Sequence, residues 1–257
     1  MLTGEEHRVN RFSKWIPFGV GAVVFGVVLI SVACGTTSSA SSKSTEMRVV
    51  HLAPNEQALD LLIDNKVVFS GLAYGVPTAF AGVTAVKHDF KLDLSISTQN
   101  VLEHPAEPFT AGTSYTYLVI ESGGIQVNRL EDDHTVADKG NFKLRVVNGS
   151  PNSGPVDVYI VTPGTATVTT ISGIASNAAS PYQSLASGSY QIYISTGGHN
   201  TCLDSTPVPV TCLIHLDGLN GTAVPAFQAG QNRTLIMLNQ IPGGGSYTTL
   251  PMLADLN

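Results

Sequence analysis

MRVVHLAPNEQALDLLI, Met47 to Ile63, returns 97 residues later as LRVVNGSPNSGPVDVYI, Leu144 to Ile160, without a gap and with seven of 17 positions identical. The shared residues are Arg48/Arg145, Val49/Val146, Val50/Val147, Pro54/Pro151, Asn55/Asn152, Asp60/Asp157 and Ile63/Ile160. Further matches follow in the same order. Ser70, Gly71, Leu72 and Ala73 answer Ser172, Gly173, Ile174 and Ala175, and Phe109, Ala111, Gly112 and Thr116 answer Phe227, Ala229, Gly230 and Thr234. Several matched islands in one order mark a repeated structural unit. The offset grows from 97 to 118 along the unit, so the second copy carries insertions, most of them between Ser195 and Phe227.

The periods within each copy are those of strands. Val86, His88, Phe90, Leu92, Leu94 and Ile96 alternate with Lys87, Asp89, Lys91, Asp93 and Ser95, the pattern of a half-buried strand. Tyr190, Ile192 and Ile194 alternate with Gln191, Tyr193 and Ser195 at the matching place in the second copy. YTYLVI at 115–120 and RTLIML at 233–238 are apolar without alternation and read as more deeply buried strands. No window carries a helical stripe with caps. Short strands punctuated by Pro, Gly and Asn predict an all-β protein of two tandem antiparallel β-sandwich domains, Ig-like in kind. The copies span 46–130 and 141–257, with the polar stretch EDDHTVADKG, 131–140, as a linker.

A strand, an Ala-Pro-Asn or Ser-Pro-Asn turn, Val-Asp-Val-Tyr-Ile or its counterpart, and a Ser-Gly-(Leu/Ile)-Ala step resemble the domain-of-unknown-function family 4397. That family occurs in exported bacterial proteins, often in tandem and often on lipoproteins. The resemblance covers 46 to about 240, is closer in the second copy, and implies fold and location without an activity.

The segment before the repeat reads as an export address. Arg8, Arg11 and Lys14 precede an uncharged stretch, Ile16 to Ala33, which ends in Ser31-Val32-Ala33-Cys34. Small residues before a cysteine followed by Gly35 resemble the lipobox of bacterial lipoproteins, with Ser31 where that pattern prefers Leu. Residues 1–33 are then a signal peptide and Cys34 the site of lipid attachment, with GTTSSASSKST, 35–45, completing a tether over 34–45. An uncleaved signal anchor is the alternative, because 18 apolar residues is the lower limit for a span. The predicted location is the bacterial cell envelope, periplasmic or surface-exposed, with the membrane a partner through the anchor. Over 257 residues the charge is −6, only 12% of residues are charged, and no basic block lies outside the first fifteen positions, which argues against a nucleic-acid partner.

Few residues point to chemistry. Arg48 with Asp60, and Arg145 with Asp157, recur 12 apart around Pro54 and Pro151 and read as structural ion pairs across a hairpin or close corner. Cys202 and Cys212 are expected to form a disulfide, since an exported chain meets an oxidising compartment. Zinc held with His199 and His215 is the alternative. Cys212 and His215 would point to opposite faces of a strand, which disfavours the metal. Glu103, His104 and Glu107 read as a charged Pro-rich loop, and Asp132, Asp133 and His134 as linker charge, with weak cation binding the sharper reading of each. Asn148, Asn220 and Asn232 begin incidental glycosylation sequons. No nucleophile, zinc-protease or phosphate-loop motif is present, so no catalytic residue, resident metal or cofactor is predicted. Trp15 is the one Trp and lies in the segment to be removed, leaving Tyr74, Tyr117, Tyr159, Tyr182, Tyr193 and Tyr247 as aromatic platforms. The expectation is a membrane-anchored, non-catalytic structural or binding module whose partner is an envelope protein or glycan. Alternatives are a polysaccharide- or peptidoglycan-binding protein and an envelope enzyme with a loop-built site.

Overall fold

The computed structural model describes residues 44–198, 202, 212–218, 223–239, 247–249 and 253–255. Residues 1–33, read above as a signal peptide, and Cys34, His199 and Asn220 lie outside the described residues. All regular structure described is strand.

The first half supplies β1 (Ser44–His51), β2 (Leu59–Ile63), β3 (Lys66–Leu72), β4 (Ala81–Thr84), β5 (Lys87–Leu94), β6 (Asn100–Pro108), β7 (Ser114–Glu121) and β8 (Ile125–Asp132). They form sheet I, in the order β4-β1-β7-β8, and sheet II, in the order β3-β2-β5-β6. The second half supplies β9 (Asn141–Gly149), β10 (Val156–Val161), β11 (Val168–Ile174), β12 (Ala178–Ala179), β13 (Gln183–Ala186), β14 (Gly188–Ser189), β15 (Gln191–Thr196), β16 (Cys212–Leu216), β17 (Ala226–Phe227), β18 (Asn232–Leu238), β19 (Thr248–Thr249) and β20 (Leu253–Ala254). Here sheet III has β9 and β18 at its centre, flanked by β12 and β13 on one side and β19 and β20 on the other, and sheet IV runs β11-β10-β15-β16. β14 pairs with β17 as a short separate ribbon.

Alternation sends one face of each strand inward. Met47, Val49, Leu59, Leu61, Phe90, Leu92, Tyr115 and Tyr117 fill the core between sheets I and II. Leu144, Val146, Val156, Val158, Ile192, Ile194, Leu235 and Met237 do the same between sheets III and IV. The alternating run at 86–96 becomes β5, with His88, Phe90 and Leu92 buried, while Val86 and Ile96 fall beyond its ends and are 56% and 76% exposed.

The unalternating runs have a second buried face. Val50, Leu52, Leu118 and Ile120 leave sheet I on the side away from its own core and meet Val147, Ile236, Leu238 and Leu253 of sheet III. The sheets therefore stack in the order II, I, III, IV with three apolar layers between them, within one compact unit.

Three expectations are corrected. The sandwiches are not wholly antiparallel. β1 runs parallel to β7 and β9 parallel to β18, since the first strand of each half and its later partner enter the same sheet from the same end after a long crossover. The tether read at 34–45 is too long, because Ser44 and Thr45 already pair in β1. The linker read at 131–140 begins inside a strand, since Glu131 and Asp132 pair with Tyr115 and Ser114 at the end of β8.

Candidate functional site

The repeated arginines do not pair with the repeated aspartates. Pro54 and Pro151 do not close hairpins; each carries the chain from one sheet of a sandwich to the other. Met47 and Val49 point into the first core, so Arg48 points out of sheet I, and Leu59 and Leu61 point inward, so Asp60 points out of sheet II. An apolar core separates the two charges, and the same holds for Arg145 and Asp157 around Val146 and Val158.

Both arginines instead meet at the junction of sheets I and III. Arg145 Nη2 lies 2.5 Å from Asp132 Oδ1, and Arg48 Nη2 pairs with Asp255 Oδ1. Arg48 Nε donates to Thr116 Oγ1 at 2.8 Å and Arg145 Nε to Thr234 Oγ1 at 3.1 Å. Each threonine hydroxyl donates to the aspartate of its own half, Thr116 to Asp132 and Thr234 to Asp255, both at 2.8 Å. Each arginine thus holds its own threonine and the other half's carboxylate. Phe80 and Tyr182 cap the two guanidiniums at 4.7 Å, and the Tyr182 hydroxyl donates to Asp255. All four charged side chains are at most 4% exposed. Burial pushes the Asp132 carboxyl above its ordinary range, against the pull of the Arg145 and Arg48 guanidiniums.

The repeated aspartates hold bulges. β2 shifts register against β3, and β10 against β11, where Gly71 and Gly173 take left-handed φ values of 63° and 69°. Asp60 Oδ1 accepts from Gly71 N at 2.8 Å and from Ser95 Oγ, and Asp157 accepts from Gly173 N at 2.7 Å and Gly198 N at 2.8 Å. The Ser-Gly-(Leu/Ile)-Ala step is this bulge.

Cys202 and Cys212 form a disulfide with Cα atoms 5.2 Å apart, which occupies both sulfurs the zinc alternative requires. His215 stands 3.7 Å from Asp217 instead. Asn148 and Asn232 are fully buried and cannot carry glycans. Tyr159 is buried in β10, and the Tyr74 hydroxyl donates to the Asn239 carbonyl, so both serve packing.

Glu103, His104 and Glu107 lie on β6, not in a loop. Opposite His88 and Phe90, β6 carries one extra residue, with Ala106 at φ 57° and its N–H donating to Asp89 Oδ1. Alternation from His104 would send Ala106 inward; the bulge turns Glu107 and Phe109 inward instead. Glu103 faces out to Lys91 at 3.5 Å. Glu107 Oε1 accepts from the Tyr117 hydroxyl at 3.0 Å and from Arg129 Nη1 at 2.9 Å. Arg129 also donates to the Pro108 carbonyl, bridging the edge strands β6 and β8 of the facing sheets. His104, Glu107, Pro108, Tyr117 and Arg129, with Phe90 and Val127, line a hollow of about 340 Å³. Burial, reinforced by the Glu107 carboxylate, drives the Tyr117 phenol upward, so it stays a hydrogen-bond donor.

A second hollow of about 410 Å³, lined mainly by polar side chains, gathers Asn55 and Asn152 of the two repeated Pro-Asn turns with Glu121 and Asn177. A further set, Asp64 Oδ2, His88 and Thr84, forms a chain of 2.6 Å and 2.8 Å bonds through the imidazole. The imidazole nitrogen facing Thr84 also lies 3.0 Å from that residue's own carbonyl, which makes this a clasp between β5, the β2–β3 turn and β4. Two other linker residues are engaged: Asp133 pairs with Lys143 at 2.6 Å, and His134 accepts from Ser114 N.

Residues 45–159 match the family model of a domain of unknown function, DUF4397. The DUF4397 match takes in the whole first sandwich, β9 and most of β10, whereas the sequence resemblance places the closer copy second. No curated protein matches the chain. Among solved structures, the chain is similar to the CBMbc module (family CBM26) of Eubacterium rectale Amy13K, solved with maltoheptaose, at 7% identity and a TM-score of 0.24, covering 80% of this chain and 95% of that one. It is also similar to a leucine-rich repeat protein of Bacteroides thetaiotaomicron, at 12% identity and a TM-score of 0.21, covering 75% of this chain and 25% of that one.

Two residues central to the junction, Asp132 and Asp255, escape the sequence reading. Asp132 sits in a polar run that resembles solvated linker, and Asp255 lies outside every matched island. The one available signal is the match of Thr116 with Thr234, whose meaning needs the partner carboxylates. The inward turn of Glu107 depends on a bulge that Pro105-Ala106 does not announce.

Proposed function

We propose that the protein is an exported, lipid-anchored, non-catalytic binding module of the bacterial cell envelope, built from tandem copies of the DUF4397 domain. The observation that carries this reading is the fate of three pairs of polar side chains common to both halves. Arg48 and Arg145, Thr116 and Thr234, and Asp60 and Asp157 all work in the scaffold, at the junction or in the bulges. In these three pairs the duplication preserves architecture, while the repeated Asn55 and Asn152 line the second hollow. The polar groups of the first hollow support the same reading. The Glu107 carboxylate is engaged by Arg129 and Tyr117, an arrangement suited to holding a ligand rather than relaying protons. The lipobox resemblance at Cys34 supplies the anchor, with two acyl chains giving lasting membrane attachment.

Intact mass of protein purified from detergent-solubilised envelope tests the anchor. The expected mass is that of residues 34–257 plus acyl groups. A full-length mass would contradict the lipoprotein reading and leave a signal anchor.

A further inference from the structure

We infer that the hollow between β6 and β8 binds a neutral, hydroxyl-bearing ring, a pyranose unit of a glycan. This rests on the binding reading above and names its ligand class. The hollow lies where the two sheets of the first sandwich part at their edges. Its volume, about 340 Å³, is at the small end of ligand sites and suits a single ring. Phe90 and Tyr117, stacked with centroids 5.0 Å apart, are buried and close its floor, so Pro108 and Val127 supply its accessible apolar wall. A sugar ring presents this mixture in return, with apolar C–H faces and a rim of hydroxyls.

The charge balance decides the ligand class. Arg129 and Glu107 neutralise one another across 2.9 Å, so neither a free anion nor a free cation finds an unmatched charge. Their bonding capacity is not exhausted. Among the described residues both hydrogen bonds to Glu107 fall on Oε1, and those of Arg129 leave from Nη1. Oε2 can therefore accept from one hydroxyl while the remaining guanidinium N–H groups donate to its neighbour, with the His104 ring, set edge-on to Phe90, at the same rim. Adjacent hydroxyls supply that donor and acceptor together, and bonds to charged groups are the stronger kind.

Local backbone strain sits at the same place. Ala106 is a non-glycine residue held at φ 57°, and the bulge it forms is what aims Glu107 into the hollow. Such strain persists where the surroundings fix it, and bulges commonly re-aim a side chain beside a site.

The test uses the full chain in detergent and the methyl pyranosides of glucose, galactose, mannose and N-acetylglucosamine, with glucuronate and glucosamine as charged counterparts. Saturation-transfer and amide-shift NMR read binding. The inference expects saturable, millimolar binding of at least one neutral glycoside, with shifts centred on 102–108 and 127–129. It also expects an affinity loss of about tenfold or more in Glu107→Gln and in Arg129→Met, the loss of one hydrogen bond to a charged group. Melting temperatures identify any variant that fails to fold, and the shift map of the unmutated chain then decides alone. No binding by any neutral glycoside, binding that maps elsewhere, or tighter binding of either charged sugar overturns the inference. Cleavage of a glycoside by the chain would instead overturn the non-catalytic reading.

Discussion

Arg145 shows how far a residue can be read from sequence. That it is structural follows from its recurrence as Arg48; its partner does not, because alternation on two different sheets points Arg145 and Asp157 away from each other. The observed partner, Asp132, comes from the other half of the molecule. Removing one member of a fully buried pair strands the other, so Arg145→Ala is expected to cost about 3–5 kcal/mol in denaturant unfolding. Replacing both, Arg145→Met with Asp132→Leu, should cost much less, because two desolvated charges disappear together. Asp64 has a separate pH signature. The hydrogen bond from His88, aided by the Asp89 N–H, holds its carboxyl below the ordinary range, so the folded form releases its proton more readily than the unfolded chain. Its stabilising contribution is complete above the ordinary carboxylate value of about 4 and is lost as pH falls through the lowered one. Melting temperatures of the native chain and Asp64→Asn should therefore differ at neutral pH and converge in acid; a constant difference down to acid would refute the clasp.

At the scale of the element, strands and their inward faces are legible because period-two alternation records burial on one face. The strands at the junction break that rule informatively. Val49-Val50, TYLVI and TLIML are apolar on both faces since sheets I and III are each covered twice. What alternation cannot show is which copy covers which. The insertion-free alignment places Leu52 opposite Gly149, and the fold explains the difference: a Cβ on Gly149 would lie 2.6 Å from the Met237 carbonyl oxygen and 3.0 Å from Leu52 Cδ1. Leu52 fills the space that Gly149 leaves. Gly149→Ala is accordingly expected to destabilise by about 1–3 kcal/mol, measured by urea unfolding, while Leu52→Ala in the same chain should relieve part of the added loss. Bulges are the least legible elements, because one extra residue in β6 reverses which side chains face the core and leaves no change in composition.

On the scale of the whole molecule, the sequence predicts two sandwiches joined by a linker, and the structure joins them by a third apolar layer and four buried charges. The sequence reading follows the unit of duplication, whereas folding follows the unit of burial. Sheet-on-sheet contact makes the halves depend on each other: Asp255, two residues before the last residue of the sequence, completes the partner set of Arg48 near the start of the repeat. In the proposed binding module, such coupling would place the hollow of the first sandwich on one cooperative body. Differential scanning calorimetry of the full chain and of Arg145→Ala tests this coupling most directly. One cooperative transition is expected in the native chain, with a lower melting temperature for that single transition in the variant. Two separate transitions in the native chain, with Arg145→Ala shifting neither or only the second, would contradict the coupling.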